Sequence, residues 1–462
     1  MSVRDRFFEN NLKRKNSYSN VLEFVQKKIT DNQSELIADN NPDDIKEKLI
    51  QIITKYLNAE NESVEGFTTK ELALKIYDDM AGGSFLDKYI YNTPNVEEVN
   101  INRWDDVTVT YAGGRPTKID EEFSSPQQAI DIIKRLIQPQ KLTLDSTTPQ
   151  VISYLSEGVR ISASIAPVVS DEDAISASIR IVRSENVTME SLLEVETLTK
   201  EMSEFLKLCV DNYISVCIAG ATSAGKTTTL AAVLSCAKDD DRVITIEEGS
   251  REFKLRRRDK NGKILNNVVS KLTRESNNPD LVINQENLLE HCLRENPDIL
   301  GIGEMRSSES YTVAEASRTG TATYTTTHAD DAENTYTRLA ELSYKKYDIE
   351  EDLMMKQMVN SFPIIVFQNK LSNGSRKIIE IFEGEYYDVS LKKVIGKTLF
   401  KYKVDNNKID KDGNVIEVIG HFEQCNNISK KLYDKFILNG ANADKMKQFY
   451  KLKENEIWIQ CF

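Results

Sequence analysis

Apolar residues recur at helical spacing through "VLEFVQKKI" and "DIKEKLIQIITKYL", which predicts a helical N-terminal extension over residues 1–80. From about Leu86 the period shortens towards two. "NVEEVNIN" and "DDVTVTYAGG" alternate and the second ends in glycine, as strands do. "SPQQAIDIIKRLIQP" returns to helical spacing behind Ser and Pro, the signature of a capped helix start. "GVRISASIAPV" and "AISASIRIV" alternate again, so residues 81–188 predict a smaller α/β domain that closes in a linker near Arg183 to Leu192.

Beyond it the pattern becomes a regular alternation. A helix ("TKEMSEFLKLCVDN") leads into an apolar strand ("YISVCIAG"), a glycine-containing loop and a second helix ("KTTTLAAVLSCA"). Strand patterns follow at "RVITIEE", "DILGIGEM", "TATYTTTH", "FPIIVFQNKL" and "KIIEIFE", with the helical "NLLEHCLREN" among them. Such alternation predicts a parallel sheet covered by helices over residues 189–388. Residues 389–462, which contain "DKDGNVIEVIGHF", predict an α+β C-terminal extension.

Composition narrows the functional classes. A chain of 462 residues is long enough for two to four domains. Its net charge of −13, from 73 acidic and 60 basic residues, argues against nucleic-acid binding, since phosphate contacts need a basic face. No direct sequence-specific nucleic-acid contact is expected. The one basic run, "KLRRRDKNGK", is read as a solvated loop. No apolar run approaches the ~18 residues that span a bilayer, and "MSVRDRFFENNLKRKN" lacks the apolar core of a secretory signal. A cytoplasmic chain, or one peripheral to a membrane through partners, is expected. The six cysteines show no CxxC spacing, which removes zinc knuckles and redox dithiols. Cys217 and Cys236 lie in apolar contexts and are expected to be buried and reduced.

The densest chemistry is in "AGATSAGKTTTL", which fits G-x-x-x-x-G-K-[ST] at Gly220, Gly225, Lys226 and Thr227. Glycines let backbone N–H groups turn inward and approach phosphate oxygens. The expected cradle is Gly220, Ala221, Thr222, Ser223, Ala224, Gly225, Lys226, Thr227 and Thr228. Lys226 reaches the terminal phosphates and Thr227 offers its hydroxyl to Mg²⁺. The helix that follows points its positive end at the same anion. ATP and Mg²⁺ are therefore the predicted cofactors.

Three further strand ends carry candidate chemistry. "DILGIGEMR" delivers Glu304, with Gly303 where an aspartate is usual, and this removes most helicase-like and transporter-like classes. "RVITIEEGSREFKL" ends in Glu247 and Glu248, two carboxylates able to activate water or complete a Mg²⁺ shell; a plain surface pair is the alternative. "TYTTTHADD" places His328, one of three histidines, where it could sense a γ-phosphate; a structural histidine is the alternative.

In order and spacing, "GATSAGKTTTL", "TIEEGSREFKL", "CLRENPDILGIGEMRSSESYTVAEASRTGT" and "TTTHAD" resemble the four boxes of the secretion-system ATPase superfamily, across about residues 85–390. Its members drive type II and type IV secretion, pilus assembly and conjugation. The resemblance implies a RecA-like P-loop ATPase domain preceded by a smaller, PAS-like α/β domain. It implies Glu247 as general base, Glu304 as the Walker B glutamate and His328 as phosphate sensor. Thr227, Glu248 and Glu304 would face the metal. Arg160 in "GVRIS" and Arg180 in "ASIRIV" match positions whose arginines reach the γ-phosphate, where a guanidinium spreads charge in the transition state. Surface strand arginines are the alternative for both. Arg306 and Arg294 match further family positions of structural or inter-subunit kind.

The chain departs from the family in three places. Glu248 stands for the usual aspartate, "TGTAT" replaces a His- and Gly-bearing segment before His328, and the four-cysteine motif of some type II members is absent. The last of these, together with "LSNGSRKIIEIFEGEYYD", which resembles their late strand pair, points to the tight-adherence pilus and conjugation branches. A homohexameric, Mg²⁺-dependent ATPase is implied, working on an integral inner-membrane platform protein and through it on a pilin or secretion substrate. Two other readings stay open: a RecA-type nucleic-acid motor, and a nucleotide-binding regulatory module with little turnover.

Overall fold

The computed structural model describes residues 14–15, 17–32 and 42–450, apart from positions 113, 157, 183–186, 277, 319, 345 and 412. The N-terminal sixteen-residue charged stretch and Cys461 therefore fall wholly or largely outside the described residues, as does the start of the expected linker. The chain divides into two compact units, Met1–Ile181 and Val182–Phe462.

In the first unit, β1 (Arg14–Lys15) pairs in parallel with β2 (Glu62–Ser63) beside α1 (Tyr18–Asn32), α2 (Pro42–Ala59) and α3 (Thr69–Ala81). Val21, Val25, Ile53, Leu57, Leu72 and Ile76, the residues at helical spacing, form their buried seam. Thr68 and Glu71 close a reciprocal capping box at the start of α3.

The rest of this unit is a six-stranded antiparallel sheet in the order β5 (Thr117–Lys118), β4 (Asp106–Tyr111), β3 (Val96–Arg103), β8 (Ile175–Ile181), β7 (Val159–Ile165), β6 (Gln150–Ser156). One face is backed by α4 (Pro126–Ile137). Ser125 caps that helix by accepting from Gln128 N–H, with Pro126 at its first position, as the sequence predicts. Val99, Ile161 and Ile179 face Ile132 and Ile133 in the core. Their neighbours on the strands, one residue away, face outward.

The second unit is a nine-stranded sheet. Its order is β11 (Val268–Leu272), β10 (Val243–Glu247), β12 (Ile299–Ile302), β13 (Ala322–Thr327), β9 (Val216–Ala219), β14 (Ile364–Lys370), β15 (Arg376–Asp388), β16 (Lys393–Ile409), β17 (Val415–Gln424). The strands from β11 to β14 run parallel, and β14 to β17 form an antiparallel meander. Successive side chains of β9 enter different cores. Val216 and Ile218 pack with α6 (Lys200–Asp211), α7 (Lys226–Leu234) and α12 (Lys430–Leu438). Cys217 and Ala219 pack with α8 (Gln285–Cys292), α9 (Glu309–Arg318), α10 (Asn334–Tyr344) and α11 (Glu351–Ser361) on the opposite face. The central strands of the sheet, β10, β12, β13, β9 and the start of β14, are thus covered on both faces, which is why they show no polar alternation.

Two expectations meet a different structure. The stretch expected to be linker includes a capped helix, α5 (Met189–Glu194), with Thr188 as its cap. The strands on either side of position 388 are hydrogen-bonded neighbours of one sheet, so the residues after 388 continue it as β16 and β17. The basic run is a mostly exposed loop, as expected, closed by an isolated bridge between Arg258 and Ile264 and by Asp259 Oδ1, which accepts from the N–H groups of Asn261 and Lys263. Of the two cysteines expected inside, Cys217 is buried and Cys236 half-buried; all the described cysteines are free thiols.

Candidate phosphate-binding site

The parallel strands bring the predicted residues to one edge of the sheet. β9 ends at Ala219, and the next six residues turn back into α7, whose N-terminal cap is Gly225 at φ 91°. That helix start has no side-chain cap, so its first-turn amides are left for an anion. Ala221, Thr222, Ser223 and Thr228 are exposed, Thr227 is half-buried, and Gly220, Ala224 and Lys226 are buried. Lys226 Nζ donates to Gly220 O and Ala221 O, both at 2.9 Å, and lies 3.2 Å from His328 Nδ1. The ammonium is thereby held across the mouth of the loop.

Glu304 and His328 stand beside it because β12 and β13 flank one another and β13 adjoins β9. Thr326 Oγ1 donates to Gly303 O at 2.7 Å and Gln285 Nε2 to Glu304 O at 3.1 Å, which fixes the turn that carries Glu304. One carboxylate oxygen, Oε2, accepts from Arg306 at 2.6 Å. The other, Oε1, is 3.0 Å from His328 Nε2 but is buried with no aligned donor among the described residues. Arg306 also lies 3.4 Å from Glu248 Oε2. Lys226, His328, Glu304, Arg306 and Glu248 therefore form one connected group of basic and acidic side chains.

Burial would raise the Glu304 carboxyl, but Arg306, with the charges of His328 and Lys226, more than offsets it and holds it below the ordinary value. His328 is lowered by burial and by the Lys226 ammonium, against the pull of Glu304. A neutral imidazole at neutral pH follows. Its Nδ1 accepts from the lysine, a tautomer assigned by its partners.

Glu247 has a different setting from the one its predicted role needs. It is 3% exposed. Its Oε2 accepts from the backbone N–H of Glu252 and, at 2.8 Å, of Phe253; its Oε1 accepts from Ser270 Oγ at 3.1 Å. The carboxyl is pushed up to about 7 by burial, a rise that those hydrogen bonds only partly oppose. Here Glu247 pins the loop after β10 and offers no oxygen to water, because both are engaged.

Arg160 and Arg180 lie in the other unit, directly opposite one another on β7 and β8, on the face away from α4; Glu98 is the next register partner. Arg160 is half-buried and Arg180 exposed. Like charges directly opposite one another across a ladder oppose the pairing, and Glu98 stands beside Arg180 on the next strand.

Two residues that the sequence reading did not single out complete the loop's surroundings. Gln368, 1% exposed on β14, accepts from Thr229 Oγ1 of α7 at 2.7 Å. Arg376, at the start of β15, donates from Nε to Ser223 O at 3.0 Å. The available signal was a glutamine at the end of the apolar run "PIIVFQ", in register with the positions that face α7.

The loop fits a nucleoside triphosphate. It offers an uncapped helix start, an ammonium and backbone turned inward at Gly220 and Gly225, beside a buried carboxylate oxygen lacking a donor. Among the described residues no group of three or more His, Cys, Asp or Glu could hold a metal by itself. A divalent ion here would take most of its oxygens from phosphate and water, which is the habit of Mg²⁺.

Comparison with known proteins finds a family for the chain. The model of the type II/IV secretion system protein family matches residues 134–369. The chain is similar to an uncharacterized protein of Methanocaldococcus jannaschii, 26% identical over 296 residues that make up 64% of this chain and 51% of that one. It is similar to the type IV secretion system protein VirB11 of Bartonella quintana, 26% identical over 328 residues, 63% of this chain and 88% of that one. Among solved structures it resembles the ATPase DotB of Legionella pneumophila, at 20% identity and TM-score 0.49, over 67% of this chain and 82% of that one. The chain spans about half the length of the first of these relatives.

Proposed function

The chain belongs to the type II/IV secretion system protein family, and from that membership we propose that it is an ATPase motor of a secretion or pilus system. The observation that carries this reading is the connected group of Lys226, His328, Glu304 and Arg306 at the mouth of a loop shaped for phosphate.

ATP would lie with its phosphates on the amides of Gly220 to Thr228, and Lys226 would leave the loop carbonyls for phosphate oxygen. Mg²⁺ supplies neutralisation of the charge on the β- and γ-phosphate oxygens; Thr227, Glu304 and Glu248 are the side chains to hold it or its water. Glu304 is ionised at neutral pH, and its Oε1, which lacks a donor, is the acceptor left for an attacking water. Neutral His328, whose one N–H is on Nε2 while Nδ1 accepts from Lys226, would read the γ-phosphate by hydrogen bonding. Glu247 titrates in the working range, so it serves as base only when residues 252–253 release it. Arg160 and Arg180 offer paired guanidinium groups to the developing phosphoryl charge.

The working unit is a homohexamer peripheral to the cytoplasmic membrane. It passes the free energy of hydrolysis to an integral platform protein, and through it to a pilin or a secretion substrate. Among the described residues no helix is long and apolar enough to cross a membrane, which is consistent with such a role. The decisive experiment is phosphate release by the wild type and Glu304→Gln with Mg²⁺ and ATP. A wild type as idle as the variant would refute the motor and leave a nucleotide-binding module.

A further inference from the structure

The nucleotide-binding loop has three residues of positive φ within six: Gly220 at 150°, Ser223 at 61° and Gly225 at 91°. Glycine adopts such angles freely, but at Ser223 the conformation persists only where the surroundings over-determine it. From the front the loop is held by Lys226, through the carbonyls of Gly220 and Ala221. That hold is lost whenever the ammonium turns to a phosphate. Something else must keep the loop in shape at that moment.

The β14–β15 hairpin stands behind it. A Cβ on Gly220 would lie 1.9 Å from the backbone oxygen of Gln368, so strand and loop touch with no room for a side chain. At Gly225 a Cβ would meet Arg376 Cδ at 3.0 Å and Gln368 Nε2 at 3.1 Å. Both glycines of the motif are thus pressed against this hairpin as well as turned towards phosphate. The register shifts between Phe367 and Gln368 because Ile379 of β15 is the extra residue, so Gln368 keeps the alternation that turns Ile364 and Val366 towards α7. Gln368 then takes the Thr229 hydroxyl at 2.7 Å, and Arg376 takes the Ser223 carbonyl at 3.0 Å. One contact fixes the first turn of α7 and the other the crest of the loop.

We propose that the β14–β15 hairpin is the back wall of the phosphate-binding loop, with Arg376 and Gln368 as positioning residues that keep it ready for nucleotide. The proposal rests on the nucleotide-binding reading of the loop, but it concerns the loop's shape before any nucleotide arrives. Neither side chain is assigned contact with the reacting atoms.

The test compares full-length wild type, Arg376→Gln and the pair Gln368→Leu and Thr229→Val, singly and combined. Amide exchange over residues 221–225 without nucleotide should speed up in Arg376→Gln by about tenfold or more, the scale of a lost hydrogen bond from a charged donor. The KM for ATP and the Kd for a fluorescent ADP should rise by a similar factor, with kcat changed less. Gln368→Leu leaves a buried hydroxyl without its acceptor, and adding Thr229→Val should restore much of the lost affinity. Unchanged exchange in Arg376→Gln overturns the proposal. So does a fall in kcat at constant KM that follows the fraction of folded protein, since that marks a merely stabilising arginine. An idle wild type would refute the motor instead, and the exchange measurement would still decide the back wall.

Discussion

Glu247 gives the sharpest test of the site's electrostatics, because its carboxyl is buried yet pushed up only to about 7 from an ordinary 4.5. The shift is about 2.5 units, or about 3 kcal/mol between the protonated and ionised forms. A raised folded value means that the stabilising contribution is fully present below 4.5 and is lost as pH rises through about 7. The loop after β10 is the part of the structure that feels it, since Glu252 and Phe253 donate their N–H groups to this carboxylate. Opening the loop rehydrates Glu247 and returns it to its ordinary value. Between pH 5 and pH 8 the free energy of that opening should fall by about 2.5 kcal/mol, roughly 70-fold in the equilibrium, when both states' titrations are counted. Amide exchange at Phe253, corrected for the intrinsic pH dependence of exchange, reads this directly. Glu247→Gln removes the titration and leaves any fixed cost of the amide, so only the difference in slope matters. Parallel pH profiles for the wild type and Glu247→Gln would show that the burial argument is wrong.

Other perturbations reach the remaining parts of the site. Glu304→Gln should lower phosphate release by about 100-fold or more, the usual scale for losing a positioned acid or base, while fluorescent ADP still binds. Gly220→Ala should abolish nucleotide binding, since its methyl has no space beside Gln368 O. Gly262→Ala, which meets open space, should cost only the left-handed strain of about 1–2 kcal/mol by thermal or denaturant unfolding. Arg180→Thr should stabilise the N-terminal unit by a few tenths of a kcal/mol, by relieving the charge opposite Arg160. The same substitution should slow ATP turnover; a loss of stability with unchanged turnover would remove Arg180 from the site.

The elements most legible in the sequence are those whose signal is local. β9, β10, β12, β13 and β14 lie where apolar runs end in glycine or charge, because strands buried on both faces need no polar alternation. Capped helices such as α4 announce themselves through Ser125 and Pro126. β11, by contrast, has five half-buried residues at the sheet's edge, and "VVSKL" carries no run strong enough to mark it. The C-terminal residues were illegible for another reason. β16 is a strand because β15 lies beside it, and its outer half, from Lys403 onward, is exposed and locally polar. Pairing partners of this kind are absent from the local pattern.

The same distinction divides the site. Lys226, Glu304 and His328 sit at ends of adjacent strands, so the order of motifs along the chain already implied their meeting. Glu247 shows where that logic stops, since strand position predicted its place but not that the chain's own amides would occupy both carboxylate oxygens with Ser270. Gln368 and Arg376 lie 139 and 153 residues from the groups they hold. Their role depends on two glycines having no space for a side chain beside this hairpin, which no motif encodes. A phosphate-binding motif therefore specifies the front of its loop, the part that meets the ligand. The back is specified by whichever strand the fold lays against it, and in this chain that strand pair continues into the C-terminal meander. Strain applied to β15–β17 has a covalent and hydrogen-bonded path to Ser223, so truncation after β14 should loosen the loop even though every motif residue remains.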